Sequence, residues 1–432
     1  MKNIATPGLI IIFITIFCVN IPVYAQDSTE KTIQNIIIIG NEITKDKVIL
    51  REIVIHKGDI PTEENLAESQ KRLLNLFLFN RVQLNLYPHD EKSLVLIIEV
   101  TEQLYFYPVP ILTIRERDWS KWSYGLSIVN SNFRGQNERL WAGFWFGFRP
   151  GFGISYTDQW AGDSLHLNTG FNLMKTIFDH RTIDGMEERH IAGRISMGKW
   201  WNYYFNTAVT FHADRIKIAE EYRELMHSGK TTEYTFGLEL SLIYDTRDLR
   251  SYPSTGWFNR FQYYQYGLFK NYNDYKNIVL NLGKYFSIGP IILAGRFYQN
   301  SLFGEIPVYR LNYIGFTERI RGYFYEVWEG KHVQTGSIET RFSIIPIHYF
   351  SLDLPAIPPQ YLRNLKIGLS GALFVDTGIV WDYSDEYQYD NFKTGFGFGL
   401  HIHLPYVEIF RVDIGFDKNF KSQLIVEVGV VF

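Results

Sequence analysis

Apolar and polar side chains alternate at every second position in one segment of this chain after another. Tyr234, Phe236, Leu238, Leu240, Leu242 and Tyr244 share one face of a stretch whose other face carries Thr235, Gly237, Glu239 and Ser241. Residues 165–173 repeat the split, with Leu165, Leu167, Phe171 and Leu173 against His166, Asn168, Gly170 and Asn172. Phe396, Phe398, Leu400, Ile402 and Leu404 repeat it again. A period of two puts successive side chains on opposite faces of a strand. Sixteen such segments can be placed, near 105–114, 122–130, 138–148, 151–160, 163–175, 188–200, 202–214, 233–246, 256–268, 275–287, 290–301, 333–345, 366–381, 393–404, 407–417 and 422–432. Most approach the 9–11 residues that a tilted strand needs to cross a bilayer, and an even count is what single-chain bacterial barrels require. Residues 104–432 are therefore expected to form a 16-stranded antiparallel transmembrane β-barrel. A β-sandwich would bury the same apolar faces in a shared core, but Tyr, Trp and Phe crowd the strand ends, as interfacial girdles do.

The pattern differs over 30–103. Ile33 and Ile36 to Ile39 form a β-branched run closed by Gly40-Asn41, which reads as a strand and a turn. Val48, Ile49 and Ile53 follow at helical spacing. Thr62 then precedes Glu63 and Glu64, an N-cap with acidic residues in the first turn, and Leu66, Leu73, Leu74 and Phe77 line one helical face. Alternation returns at Val82, Leu84 and Leu86, and at Leu94, Leu96, Ile98 and Val100, so the expected order is βααββ. Ahead of this unit, Met1-Lys2, an apolar run over 9–19 and Val23-Tyr24-Ala25 have the layout of a secretory signal, with cleavage expected after Ala25.

Composition narrows the function classes. With 46% hydrophobic residues, 21% charged residues and a net charge of −3, the chain is too apolar for a disordered protein and lacks the basic excess of a nucleic-acid binder. The mean hydropathy of −0.13 does not separate a soluble protein from a barrel that hides apolar residues at alternate positions. The single cysteine, Cys18, lies in the segment expected to be removed, so neither a disulfide scaffold nor a thiolate metal cluster is expected.

Two short motifs sharpen the reading. Ile320-Arg321-Gly322-Tyr323 stands in the longest interruption between strands, 302–332, and Phe374-Val375-Asp376-Thr377-Gly378 stands in the thirteenth strand. Together with Asn132-Phe133-Arg134-Gly135, Tyr244-Asp245-Thr246-Arg247-Asp248, Pro253, Gly256-Trp257 and a terminal Phe432, they resemble the BamA/TamA-like outer-membrane assembly superfamily, or bacterial surface antigens. The 30–103 unit, with Gly40-Asn41, Lys57-Gly58-Asp59 and the run 73–79, resembles that superfamily's periplasmic POTRA domain. The resemblance implies that the long loop folds into the lumen and that Arg321 pairs with Asp376, beside Gly378, and with Glu339. Strand parity agrees with this placement. If Asp376 points inward, so do Lys366, Gly368, Ser370 and Gly378, while Ile367, Leu369, Leu373, Val375 and Ile379 point outward. Glu339 shares a face with Thr335, Ser337 and Arg341, against Ile338 and Phe342. An ion pair that only stiffens the barrel is the alternative role.

The ends of the barrel carry a further expectation. Pro108 and Pro110 in the first strand cannot donate to a ladder, so its pairing with the last strand, where Leu424, Val426, Val428, Val430 and Phe432 share a face, should be weak and open to lateral passage. The alternative is that both prolines lie in the linker before the strand. The resemblance implies a non-enzymatic insertion factor in the bacterial outer membrane, with its POTRA domain in the periplasm. That domain captures unfolded outer-membrane or secreted β-rich proteins by strand addition, unless it only spaces the barrel from other machinery. Lipid, and periplasmic chaperones or accessory lipoproteins, are the other implied partners; no cofactor is implied. A two-partner-type secretion transporter is the second reading, although 26–32 leaves no length for the plug helix of such proteins; a passive pore is the third. Two further signals carry less. Gly162-Asp163-Ser164-Leu165 spells a lipase-like block but enters a strand, and His401 and His403, two apart on a lumen-facing strand, lack a third metal ligand.

Overall fold

In the N-terminal unit, β1 (Thr32–Ile39), α1 (Asp46–Leu50), α2 (Glu63–Leu74), β2 (Phe79–Pro88) and β3 (Ser93–Glu102) follow the βααββ order. The computed structural model describes residues 31–114, 122–162, 165–180, 183–269, 273–315, 318–355, 358–406 and 409–429. The expected signal segment with Cys18, together with Asp163, Ser164, Val430 and Phe432, falls outside them. The Thr62 hydroxyl accepts from Asn65 N–H at 3.1 Å and so satisfies one of the donors left free at the start of α2. The first helix is shorter than the apolar spacing suggests. In the sheet, β3 is central, parallel to β1 and antiparallel to β2. Leu96 and Ile98 of β3 pack with Ile33, Val48, Ile49 and Leu73 in a buried apolar core.

The barrel begins with β4 (Phe106–Ile114), β5 (Trp122–Phe133), β6 (Glu138–Gly147), β7 (Gly151–Ala161), β8 (Leu167–Asp179) and β9 (Glu187–Trp200). It continues through β10 (Phe205–Lys217), β11 (Thr232–Asp245), β12 (Gly256–Tyr266), β13 (Tyr275–Ile288) and β14 (Ile291–Gly304). The long loop holds a small ribbon of β15 (Asn312–Ile314) and β16 (Trp328–Gly330). The strands β17 (His332–Phe350), β18 (Leu365–Trp381), β19 (Lys393–His403), β20 (Ile409–Phe416) and β21 (Ser422–Val428) complete it. All sixteen long strands form one antiparallel sheet ordered along the chain, with β14 pairing β17 across the loop. Pro108 and Pro110 lie inside β4, opposite Ile128 and Leu126, and not in a linker.

Strand parity sorts the faces. Tyr234, Leu238, Leu240 and Tyr244 are exposed, whereas Thr235 and Ser241 are buried. Ile379 departs from the expected pattern, at 2% exposure on the outward face. Tyr387 donates to Gln334, the residue opposite Ile379 in the ladder, so the segment after β18 folds over this face. The second departure is β17, expected to end near 345, which continues to Phe350.

Candidate functional site

The loop between β14 and β17 returns to the sheet at residues 318–325. Ile320 and Tyr323 are buried against Ile314 and Val333, with Trp328 packed on the same cluster. Gly322 has φ +107°, and a β-carbon there would collide with the carbonyl of Phe416, so only glycine lets the turn lie this close to β20. Gly378 packs beside Ile320, leaving little room for a side chain.

That turn delivers Arg321, 3% exposed, into a set of carboxylates. Its Nε donates to Asp376 Oδ2 at 2.7 Å and Nη2 to Asp376 Oδ1 at 2.9 Å, a bidentate pair, and its main-chain N–H adds a third bond to Asp376 at 3.1 Å. Nη1 donates to Glu339 Oε2 at 2.6 Å and lies 3.4 Å from Asp413 Oδ2. The guanidinium also lies over the ring of Phe374, 3.5 Å from its centroid. Glu339 takes a second cation, Arg341 Nε at 2.7 Å, and Asp413 takes Arg411 Nη1 at 2.9 Å. Arg411 continues to Glu427, which Arg319 of the loop also reaches. An unbroken run of alternating charges thus joins β17, β18, β20 and β21 through two loop arginines. Buried charge is tolerable only when paired in this way.

Sequence reasoning brought together Arg321, Asp376 and Glu339 but missed Asp413, Arg411, Glu427 and the bidentate pair of Arg296 with Glu318. Arg411 and Asp413 alternate with Phe410, Val412 and Ile414, so the parity test applied to Asp376 would have placed them inward too.

Hydrogen-bond phase gives the edge strands a direction. Ser131 N–H bonds to the Tyr105 carbonyl at 2.9 Å, so the pairs 107/129, 109/127 and 111/125 continue the bonded phase between β4 and β5. In an antiparallel ladder the intervening residues turn their backbone groups to the other side. Those residues include Pro108 and Pro110, so the two absent donors are ones that would face β21. Among the described residues no ladder joins β4 to β21. In β21, Gly429 N–H bonds to the Ile409 carbonyl at 2.8 Å, which directs Leu424, Val426 and Val428 toward the seam. Tyr325 of the loop donates its hydroxyl to one of these seam-facing groups, the Leu424 carbonyl, at 3.1 Å, and Phe324 N–H donates to Gln423 Oε1 at 2.6 Å.

The small domain docks on the turns at the opposite end of the barrel. Asn132 donates to Thr44 Oγ1 at 2.9 Å and Lys45 N–H to the Gly135 carbonyl at 2.9 Å. The Asn75 amide donates to the Asp248 carbonyl at 2.9 Å and accepts from Arg250 N–H at 2.8 Å. Two motifs noted in the sequence therefore form the cradle for this domain. Glu102 accepts from the main-chain N–H groups of Ile43 and Thr44, and burial pushes the neighbouring Tyr105 phenol well above its ordinary range. Between the domain and the turns lies a cavity of about 610 Å³ lined by Arg51, Arg72, Arg139, Trp160, Trp200 and Arg250 among others.

The turn that grips Asn75 also reaches into the lumen. Tyr252 contacts His401 Nδ1 at 3.0 Å, and Arg341 lies over the Tyr252 ring. His403 bonds to Ser370 Oγ at 2.9 Å. Both histidines therefore have protein partners, and among the described residues no group of three or more His, Cys, Asp or Glu could hold a metal ion.

Comparison with known proteins gives consistent matches. A family model for the Omp85 superfamily domain matches residues 132–426, and one for the surface antigen variable number repeat, or POTRA, matches 31–103. The outer membrane protein assembly factor BamA of Nitratidesulfovibrio vulgaris is 24% identical over 387 residues, 83% of this chain and 45% of that protein. BamA of Neorickettsia risticii is 32% identical over 120 residues, 27% of this chain and 16% of that one. The chain spans less than half the length of these curated relatives. Among solved structures, BamA from Haemophilus ducreyi lacking POTRA domains 1–3 matches with TM-score 0.53 at 15% identity, covering 92% of this chain and 83% of that one. CdiB from Escherichia coli matches with TM-score 0.58 at 10% identity, covering 93% and 75%. At these identities the structural likeness is one of fold.

Proposed function

The chain belongs to the Omp85 superfamily, and on that footing we propose that it is an outer-membrane assembly factor that admits β-rich clients through the seam between β4 and β21. The seam carries the reading. A strand whose seam-facing positions include two prolines offers its neighbour fewer hydrogen bonds than any regular ladder, so separation there costs less than elsewhere in the ring. An opened edge presents unpaired N–H and C=O groups that can template a client strand with little dependence on sequence. The ion-paired loop holds β17, β18, β20 and β21 in register while that edge opens.

Client capture falls to the POTRA domain on the periplasmic side. Its two sheet edges are not equivalent. Near β2, Asn80 donates to the Arg363 carbonyl and Arg81 to Asn364 Oδ1, whereas β1 leaves Ile37 and Ile39 41% and 49% exposed. The Gly58–Asp59 turn bonds the β1 edge at Ile33, and beyond it the backbone groups of Ile36 and Ile38 face away from β3, so this stretch of β1 is the docking edge in our reading. Unfolded outer-membrane or secreted β-rich proteins are the clients, brought by periplasmic chaperones or accessory lipoproteins. No catalytic chemistry is needed, since the folding free energy of the client drives insertion.

A seam crosslink tests this. Cysteine pairs scanned between 106–112 and 424–428, in a chain whose only other cysteine is Cys18, will form a disulfide only between adjacent strands. Insertion of a model barrel into proteoliposomes should stop on oxidation and return on reduction. Undiminished insertion by fully crosslinked protein would overturn the lateral route, and steady ion conductance in both states without insertion would favour a passive pore. Client export across the membrane in place of insertion would favour secretion.

A further inference from the structure

The hairpin between β17 and β18 is unlike the other turns at its end of the barrel. From Phe342 to Pro355 every residue is exposed, and Ile344, Ile345, Ile347, Tyr349, Leu352 and Leu354 are each 45–51% exposed. Between Arg341 and Arg363 the only Asp, Glu, Lys or Arg is Asp353, in a chain that is 21% charged. A contiguous apolar surface of this kind marks a contact with something other than water.

Three observations point to lipid as the occupant. First, the hairpin continues the outward row of the barrel, in which Thr340 is the one polar side chain between Ile338 and Phe342. Ile338 and Phe342 in β17, and Leu373 and Ile367 in β18, are exposed on the face that leads into it. Second, its backbone is a poor template for a peptide strand. The β14–β17 ladder ends at Ile291 opposite Phe342, so β17 runs on unpaired at that edge, but Pro346 removes a donor there and two register shifts against β18 distort the pleat. Third, its flanks carry the groups that favour a headgroup region. Arg81 lies 5.2 Å from the Tyr349 ring, and Arg363 and Lys366 border the apolar stretch. Apolar side chains framed by tyrosines and cations form the pattern of an interfacial anchor.

We infer that residues 344–354 form a foot that lodges in the periplasmic leaflet of the membrane. The POTRA domain grips the same hairpin, through Asn80 to the Arg363 carbonyl, Arg81 to Asn364, and Asn364 Nδ2 to Thr101 Oγ1 at 2.9 Å. Seating the foot therefore fixes the height of the domain, and of its β1 edge, above the bilayer. The inference needs only the barrel and not the assembly reading, so either can fail alone.

Site-directed spin labelling tests it in the full chain. Ile345→Cys, Ile347→Cys and Leu352→Cys are labelled singly and reconstituted into phosphatidylethanolamine–phosphatidylglycerol vesicles. Ile338→Cys serves as the lipid-facing reference and Ile37→Cys as the aqueous one. The foot labels should match Ile338→Cys, with high collision rates with oxygen and low rates with a water-soluble nickel chelate. Replacing Leu352 and Leu354 by glutamate should raise the nickel accessibility of the label at 347 severalfold. Nickel accessibility equal to that at Ile37→Cys in the unaltered hairpin would overturn the inference. Shielding from both reagents would overturn it in favour of a protein partner or a second copy of the chain.

Discussion

Replacing Arg321 with alanine tests the loop anchor most directly. The buried cluster balances Arg321, Arg341 and Arg411 against Glu339, Asp376 and Asp413, so the substitution leaves one carboxylate in excess at positions no more than 3% exposed. It removes the three side-chain bonds to Asp376 and Glu339. Breaking a buried pair by deleting one partner costs about 3–5 kcal/mol. The sixteen-stranded ladder does not depend on Arg321, so the loss falls on docking of the loop and not on the barrel. At about 1.4 kcal/mol per factor of ten, release of 318–325 from the lumen should become roughly two to four orders of magnitude more frequent. Limited proteolysis within the loop, or hydrogen exchange of the Ile320 to Tyr323 amides, reads this in the folded protein. Arg321→Lys keeps the charge but cannot hold both Asp376 oxygens and Glu339 at once, so it should fall between the two. Loop cleavage in Arg321→Ala within twofold of the original chain, with the barrel intact, would refute the anchor.

A proline at Ile38, whose backbone groups turn away from β3 to the outer edge of β1, should weaken client crosslinking more than Ile38→Ala does, because the first removes an edge donor and the second only side-chain atoms; equal effects would argue for side-chain recognition. Tyr325→Phe deletes one hydroxyl to carbonyl bond, worth about 0.5–1.5 kcal/mol, and should raise hydrogen exchange at the outer end of β21 a fewfold; no change would mean the contact does not hold the edge. Burial pushes the Glu52 carboxyl above its ordinary range, the Arg51 charge only partly opposing it. The folded domain therefore binds that proton more tightly than the unfolded chain, and the resulting stability is present in acid and lost as pH rises through the raised value. Thermal unfolding of Glu52→Gln should show a flatter fall over that range, and an unaltered profile would remove Glu52 as the cause.

Much of the architecture could be read along the chain because a β-barrel writes its geometry into parity. Each strand has one face to lipid and one to the lumen, so alternation located all sixteen strands, and Asp376 and Glu339 could be turned inward without knowing their neighbours. The βααββ unit was legible for a related reason, since the Thr62 cap and the switch from helical to twofold spacing are local signals. Helix and strand ends shifted by a few residues, because tertiary packing sets where a ladder stops.

What the sequence alone determined is thus the placement of each residue on a face; which residues meet was decided by the tertiary structure. Asp413 and Arg411 had a legible orientation but no legible partner, since Asp413 of β20 meets Arg321 from a loop 92 residues upstream. The prolines of β4 were visible, yet that their absent donors face β21 follows from the hydrogen-bond phase set by Ser131 and Tyr105. The edge of the POTRA sheet left free, and the apolar hairpin projecting beyond β14, depend on how domains and turns pack. Parity is a property of one strand and survives in a linear code. Register, phase and overhang are relations between strands, and come into being only when the chain closes on itself.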